Sequence, residues 1–227
     1  MTKHKPSKFT IEFDEEEIDL DELVTSAPFQ FGQGKALQKS LDLTDHFLIA
    51  MPSMADPIFG GTVIYVCEHN ERGAMGLVIN RPTDMTISDL FDRIDLQLEI
   101  IPNSHPLGQN LVMFGGPVQS DRGFVLHTPS EAYSSSLKVT EEVSFTTSRD
   151  ILESLAAGNA PQRLLLSIGY AGWNAGQLEQ EILNNGWLTV EADLGVLFDL
   201  PVEERFAAAM KLLGFDPAML ATVAGHA

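Results

Sequence analysis

The stretch from residue 62 to residue 80 constrains the fold more than any other. Residues 62–69 read Thr-Val-Ile-Tyr-Val-Cys-Glu-His, a β-branched and aromatic run. Asn70-Glu-Arg-Gly73 supplies turn residues, and residues 74–80, Ala-Met-Gly-Leu-Val-Ile-Asn, form a second apolar run. Two such runs joined by a short polar turn predict an antiparallel hairpin. A strand over 47–50, stopped at Met51-Pro52, precedes it, and further strands are expected at 111–114, 123–127 and 143–147. Residues 86–94 read as a short helix with a hydroxyl or Asp cap. The second half alternates more. A helix over 149–157 is expected behind Ser148, a buried strand over 163–168, and a helix over 175–184 capped by Asn174. Short strands over 187–190 and 196–198 follow, and Pro201 opens a last helix that ends near Gly214. Hairpins first and mixed elements later predict an α+β fold rather than a doubly wound sheet.

Charge divides the chain. Of 227 residues, 32 are Asp or Glu and 14 are Lys or Arg, a formal net charge of −18. Residues 12–22 hold eight acids and no cation. Residues 1–40 carry those eight acids and five lysines, a net −3, which leaves −15 to residues 41–227. Residues 1–40 therefore read as an acidic, disordered arm, a solvated extension or an acidic interaction tail, and residues 41–227 as the folded domain. So acidic a chain repels phosphate backbones and anionic lipid, so neither nucleic acid nor membrane is an expected partner. The basic N-terminus leads into no apolar h-region, and the longest apolar runs are strand-sized, so a cytoplasmic location is expected. The single cysteine, Cys67, allows neither an intramolecular disulfide nor a multi-cysteine zinc site.

Several collinear motifs carry a family resemblance. Phe47-Leu-Ile-Ala-Met-Pro52, Cys67-Glu-His69, Gly73-Ala-Met-Gly-Leu-Val-Ile-Asn-Arg-Pro82 and Gly115-Gly-Pro-Val118 occur in order. Arg122-Gly-Phe-Val-Leu-His127, Ser167-Ile-Gly-Tyr-Ala-Gly-Trp173 and Leu212-Leu-Gly-Phe-Asp-Pro217 follow. The chain resembles the AlgH/YqgE family of bacterial proteins over residues 41–227. The resemblance implies a single α+β domain with a bent, partly barrel-like, mostly antiparallel sheet and flanking helices. It implies no established activity, although some members are called transcriptional regulators.

Direct DNA binding fits the residues poorly. The Gly169 to Leu183 stretch looks helix-turn-helix-like, yet no Lys or Arg lies between Arg163 and Arg205. A recognition helix needs cations for phosphate contacts and donors for base edges. Any regulatory effect is expected to pass through a protein partner or a small anionic ligand, without a cofactor or metal.

The candidate site residues fall in two groups. Period-two alternation puts Cys67 and His69 on one face of a strand, where a thiol beside an imidazole could serve as a nucleophilic or redox centre. A lone cysteine in an apolar strand is also the usual buried small hydrophobe. The second group lies at strand ends. Pro82 stops pairing and frees Arg81 beside Asn80, and Gly115 and Gly116 offer backbone N–H groups as an anion nest. Arg122 opens the next strand, and Tyr170 and Trp173 lie in a glycine-rich stretch before a helix. With so few cations, Arg81 and Arg122 stand out as anchors for an anion. The alternative is that the glycines serve turns, the aromatics pack the core and each arginine is paired. The leading expectation is a non-enzymatic regulatory or binding protein. The runner-up is a small-molecule enzyme or redox protein that uses Cys67 and His69 or the Arg81 and Arg122 region.

Overall fold

The computed structural model describes residues 41–96, 107–129 and 132–214, so the expectation for the arm at 1–40 lies outside the described residues. Strands β1 (His46–Ala50), β2 (Val63–Asn70) and β3 (Gly73–Val78) form an antiparallel meander, with the expected hairpin between β2 and β3. Next come β4 (Pro82–Thr86) and helix α1 (Ile87–Arg93). A reciprocal capping box fixes the start of α1: Thr86 Oγ1 accepts from Asp89 N–H, and the Asp89 carboxylate accepts from Thr86 N–H. A 3-10 turn at Leu107–Gln109 leads into β5 (Leu111–Phe114) and β6 (Val118–His127). Then come β7 (Ser136–Lys138), β8 (Ser144–Thr146), α2 (Asp150–Ala156) and β9 (Leu164–Asn174). The chain continues through α3 (Gln177–Leu183), β10 (Trp187–Glu191), a π-helical turn at Gly195–Asp199 and α4 (Val202–Leu212).

All ten strands join one curled sheet, in the order β10-β1-β2-β3-β9-β6-β8-β7, with β5 beside β9 and β4 beside β5. Every pairing is antiparallel except that of β5 with β9. The result is the α+β half-barrel that the family resemblance implies. Its concave face holds Phe47, Tyr65, Leu77, Phe124, Phe145 and Tyr170, covered by Phe206, Ala209 and Met210 of α4. The convex face carries two further cores, one under α3 with Trp173 and Trp187, the other under α1 and α2. Full burial of each large apolar side chain stabilises the fold by about 1.5–3 kcal/mol.

The long strand β9 organises the rest. It pairs with β6 over residues 164–170 and with β3 over residues 171–174, so one strand belongs to both halves of the sheet. The changeover sits at Gly169, whose φ of +71° lies in the left-handed region. A Cβ on Gly169 would meet the Gly116 carbonyl oxygen at 2.3 Å, and one on Gly116 would meet the Tyr170 carbonyl carbon at 2.2 Å. Two backbones touch there, and glycine is what lets them.

Four local expectations change. Gly169 to Asn174 is strand rather than the lead into a helix, because residues 171–174 find partners in β3. Residues 196–198 belong to the π-helical turn: Asp193 Oδ1 accepts from Val196 N–H, and Leu200 N–H donates to Gly195 O. Ser148 does not cap α2; its hydroxyl donates to Asp150 and accepts from Ser135 N–H. Gly176, rather than Asn174, stands at the start of α3.

Candidate functional site

Cys67 and His69 do not share a face. The register runs Tyr65 with Leu77 and Val66 with Gly76, then Glu68 with Met75 and His69 with Ala74. Cys67 is thus the extra residue of a β-bulge, and the side-chain alternation inverts there. Cys67 joins Tyr65 in the concave core, whereas His69 stands opposite Ala74 of the convex core. The Leu43 N–H donates to His69 Nδ1 at 3.1 Å, which leaves the ring proton on Nε2, 3.4 Å from Glu179 Oε1 of α3. The Cys67 thiol is 1% exposed, and its Sγ donates to Tyr65 O at 3.8 Å. Burial, helped by the nearby Glu68 charge, pushes the thiol far above its ordinary range. Burial therefore favours the neutral thiol over the thiolate.

The strand-end residues also spread apart. Asn80 Oδ1 accepts from Val63 N–H at 2.8 Å, and its Nδ2 donates to Gly61 O at 2.9 Å. Arg81 is not released by Pro82, which begins β4. Its Nη1 donates to Pro57 O at 3.2 Å and its Nη2 to Gly60 O at 2.8 Å. Together Asn80 and Arg81 fasten the loop between β1 and β2. Gly115 spends its N–H on Ile168 O at 2.8 Å, and its carbonyl accepts from Val78 N–H at 2.8 Å. Gly115 and Gly116 therefore let β9 approach rather than form an anion nest. Arg122 lies near Gln119, Nη1 to Oε1 3.5 Å, where the β6–β9 register breaks. Tyr170 is in the concave core, edge-on to Phe124 at 5.5 Å. Trp173 is in the convex core, and its Nε1 donates to Glu181 Oε2 at 2.9 Å. The same oxygen accepts from Trp187 Nε1 at 2.8 Å, and Gln177 Nε2 donates to Oε1 at 3.0 Å.

A cavity lies elsewhere. It is a groove of about 1240 Å³ where the starts of β5, β9 and α4 meet. Apolar side chains such as Leu111, Met113, Phe198 and Val202 line it, with Gln109 and Asn110 at the 3-10 turn. Two cations reach it. Arg163 Nη2 pairs with Asp199 Oδ2 at 2.8 Å, joining the start of β9 to the π-helical turn. Arg205 is 7% exposed; its Nε donates to Leu200 O at 3.1 Å and its Nη1 to Ile79 O at 2.7 Å. Burial lowers its pKa to about 10, so it remains charged at neutral pH. Its partners are both carbonyls, and among the described residues no carboxylate pairs with it. A buried charge without a counter-charge is costly, and an incoming anion would relieve that cost. Among the described residues no cluster of three or more His, Cys, Asp or Glu side chains is arranged to hold a metal ion.

Sequence reasoning missed Arg205, although two signals pointed to it. Arg163 and Arg205 are the end points of the stretch without Lys or Arg. Arg205 also falls three residues after Val202 and four before Ala209, on the apolar stripe of its helix.

The AlgH-like family model matches residues 47–218. A UPF0301 protein from Ralstonia nicotianae is 62% identical over 187 residues, covering 82% of this chain and 96% of the relative. One from Chromobacterium violaceum is 55% identical, covering 83% of this chain and all of the relative. The solution structure of the AlgH protein from Pseudomonas aeruginosa superimposes with a TM-score of 0.66 at 47% identity, covering 85% of this chain and 100% of that one. A protein from Corynebacterium diphtheriae, 19% identical, shares the fold with a TM-score of 0.59 over 77% of this chain and 89% of its own.

Proposed function

The chain belongs to the AlgH-like family, and on that premise we propose that it is a non-enzymatic regulatory binding protein whose groove holds an anionic group against Arg205. The anion belongs to a protein partner or to a small ligand. The observation that carries this reading is the Arg205 charge, buried at the groove with no acidic partner among the described residues. The enzyme or redox reading draws no support from the geometry. Cys67 and His69 face opposite sides of the sheet, and the Arg81 guanidinium is bonded to loop carbonyls. Three of the described cations are also already engaged, since Lys138, Arg149 and Arg163 pair with Glu141, Glu153 and Asp199, which weighs against a phosphate backbone.

Thermal unfolding in rising citrate, phosphate and acetate tests the reading. An anion at ten times its dissociation constant stabilises the native state by about 1.4 kcal/mol, which for this size raises Tm by roughly 3–6 °C. The rise should be saturable and absent in Arg205→Met. Indifference of the wild-type protein to all three anions sinks the proposal.

A further inference from the structure

Among the described residues, one edge of β9 has no backbone partner where it enters the groove. Its other edge pairs with β6 from Leu164 to Ile168. Thr128 N–H donates to Arg163 O at 3.0 Å on that side, and Gly115 N–H donates to Ile168 O at 2.8 Å on the other. Backbone groups alternate sides along a strand, so residues 163, 165 and 167 face β6, whereas 164, 166 and 168 face the side of β5. β5 reaches only Ser167 and Ile168, through Met113 and Phe114. That ladder takes up the Leu166 carbonyl. The Leu164 N–H and C=O and the Leu166 N–H have no backbone partner among the described residues. Both residues line the groove, Leu164 half-buried and Leu166 only 1% exposed, its side chain in the core under α1 and α2.

Proteins normally pair, cover or blunt such an edge with charge or proline, and residues 164–166 are Leu-Leu-Leu. Leu111, at 42% exposure, stands at the same groove as an uncovered apolar side chain. Donors and acceptors at strand spacing, flanked by apolar walls, match an extended polypeptide, whose backbone supplies the affinity and whose alternate side chains fill the pockets. The buried guanidinium adds a demand for negative charge. We propose that the groove is a strand-addition site: an extended segment of a partner polypeptide pairs with β9 at residues 164–166 and sets a carboxylate against Arg205. This rests on the reading of the groove as an anion-binding site and names its occupant.

Two acetylated heptapeptides of alternating Thr and Val, one ending in a free carboxylate and the other in an amide, are titrated into the ¹⁵N-labelled full chain. Amide hydrogen exchange is followed residue by residue. The carboxylate peptide should slow exchange of the Leu164 and Leu166 amides at least about tenfold at saturation, and the amide peptide should bind at least about tenfold more weakly. Leu164→Pro removes a donor that faces the groove and leaves the β6 ladder intact. It should weaken the carboxylate peptide at least about tenfold while the response to free anions stays as in wild type. Equal peptide affinity in wild type and Leu164→Pro, or protection elsewhere, overturns strand addition. So does full protection of both amides in the free chain, which would mean that the chain's own residues cover the edge. If free anions bind and neither peptide does, the anion site stands and strand addition falls. If nothing binds, both fall together.

Discussion

Two arginines, Arg81 and Arg205, make the same kind of contact and reach opposite outcomes. Each donates to a pair of backbone carbonyls, Arg81 to Pro57 and Gly60, Arg205 to Leu200 and Ile79. Arg81 sits half-buried beside the loop it fastens, where water screens its charge. Arg205 lies buried at the groove wall, where its charge is screened far less and no acid among the described residues answers it. The scarcity of cations in the sequence identifies which arginines to examine. Only burial and partner type say which of them is left with something to bind.

The largest effect that would test this contrast is expected at Gly116→Ala, beside the Arg81 strand end. A Cβ there overlaps the Tyr170 backbone at a φ of +154°, and no flexible side chain can yield. Stability should fall by about 3 kcal/mol or more in urea unfolding, or the chain should fail to fold. Retention of wild-type stability would show that the two backbones are not held in contact. Arg81→Ala should cost about 1–2 kcal/mol, the worth of its carbonyl bonds, and should speed amide exchange in residues 56–62. The response to anions should not change; if it vanishes, the two arginines do not differ as described. Arg205→Met exchanges a buried charge for an apolar chain of similar length, so stability should stay within about 1 kcal/mol. Its anion response should disappear.

The smallest effect concerns His127, which faces Leu164 across the β6–β9 pairing, behind the groove. Burial holds its pKa below the ordinary value of 6.5, partly offset by a hydrogen bond to the Thr128 carbonyl. The unfolded chain therefore takes up a proton that the native state refuses. Stability contributed by His127 is complete above pH 6.5 and declines as pH falls from there toward the lower native value. Urea midpoints measured between pH 7.5 and 5.5 should show that decline, and His127→Asn should flatten it; parallel curves would remove His127 as the source.

Much of the fold was legible because apolar runs of strand length are bounded by turn residues. β1, β2, β3 and β5 stand within one or two residues of where those runs predict them. Three things escaped the same reasoning. A bulge leaves no mark in an unbroken apolar run, so simple alternation puts His69 on the wrong face. Gly172 reads as loop because the partner strand that makes it strand is nearly a hundred residues away in sequence. The π-helical turn depends on Asp193 capping from outside the apolar residues that suggested a strand. The candidate site was less legible. The chosen residues were conspicuous by type, whereas a groove is made by what surrounds it, and Arg205 lies in an ordinary-looking helix.

The convergence of Trp173 and Trp187 on a single Glu181 oxygen has a practical consequence. These are the only tryptophans in the chain, and both lie by the end of β9 that pairs with β3. Indole emission from this protein therefore monitors one carboxylate at the far end of the strand whose beginning walls the groove. A fluorescence change on filling the groove would be a signal carried along β9, and its absence would mean that the two ends of the strand work in isolation.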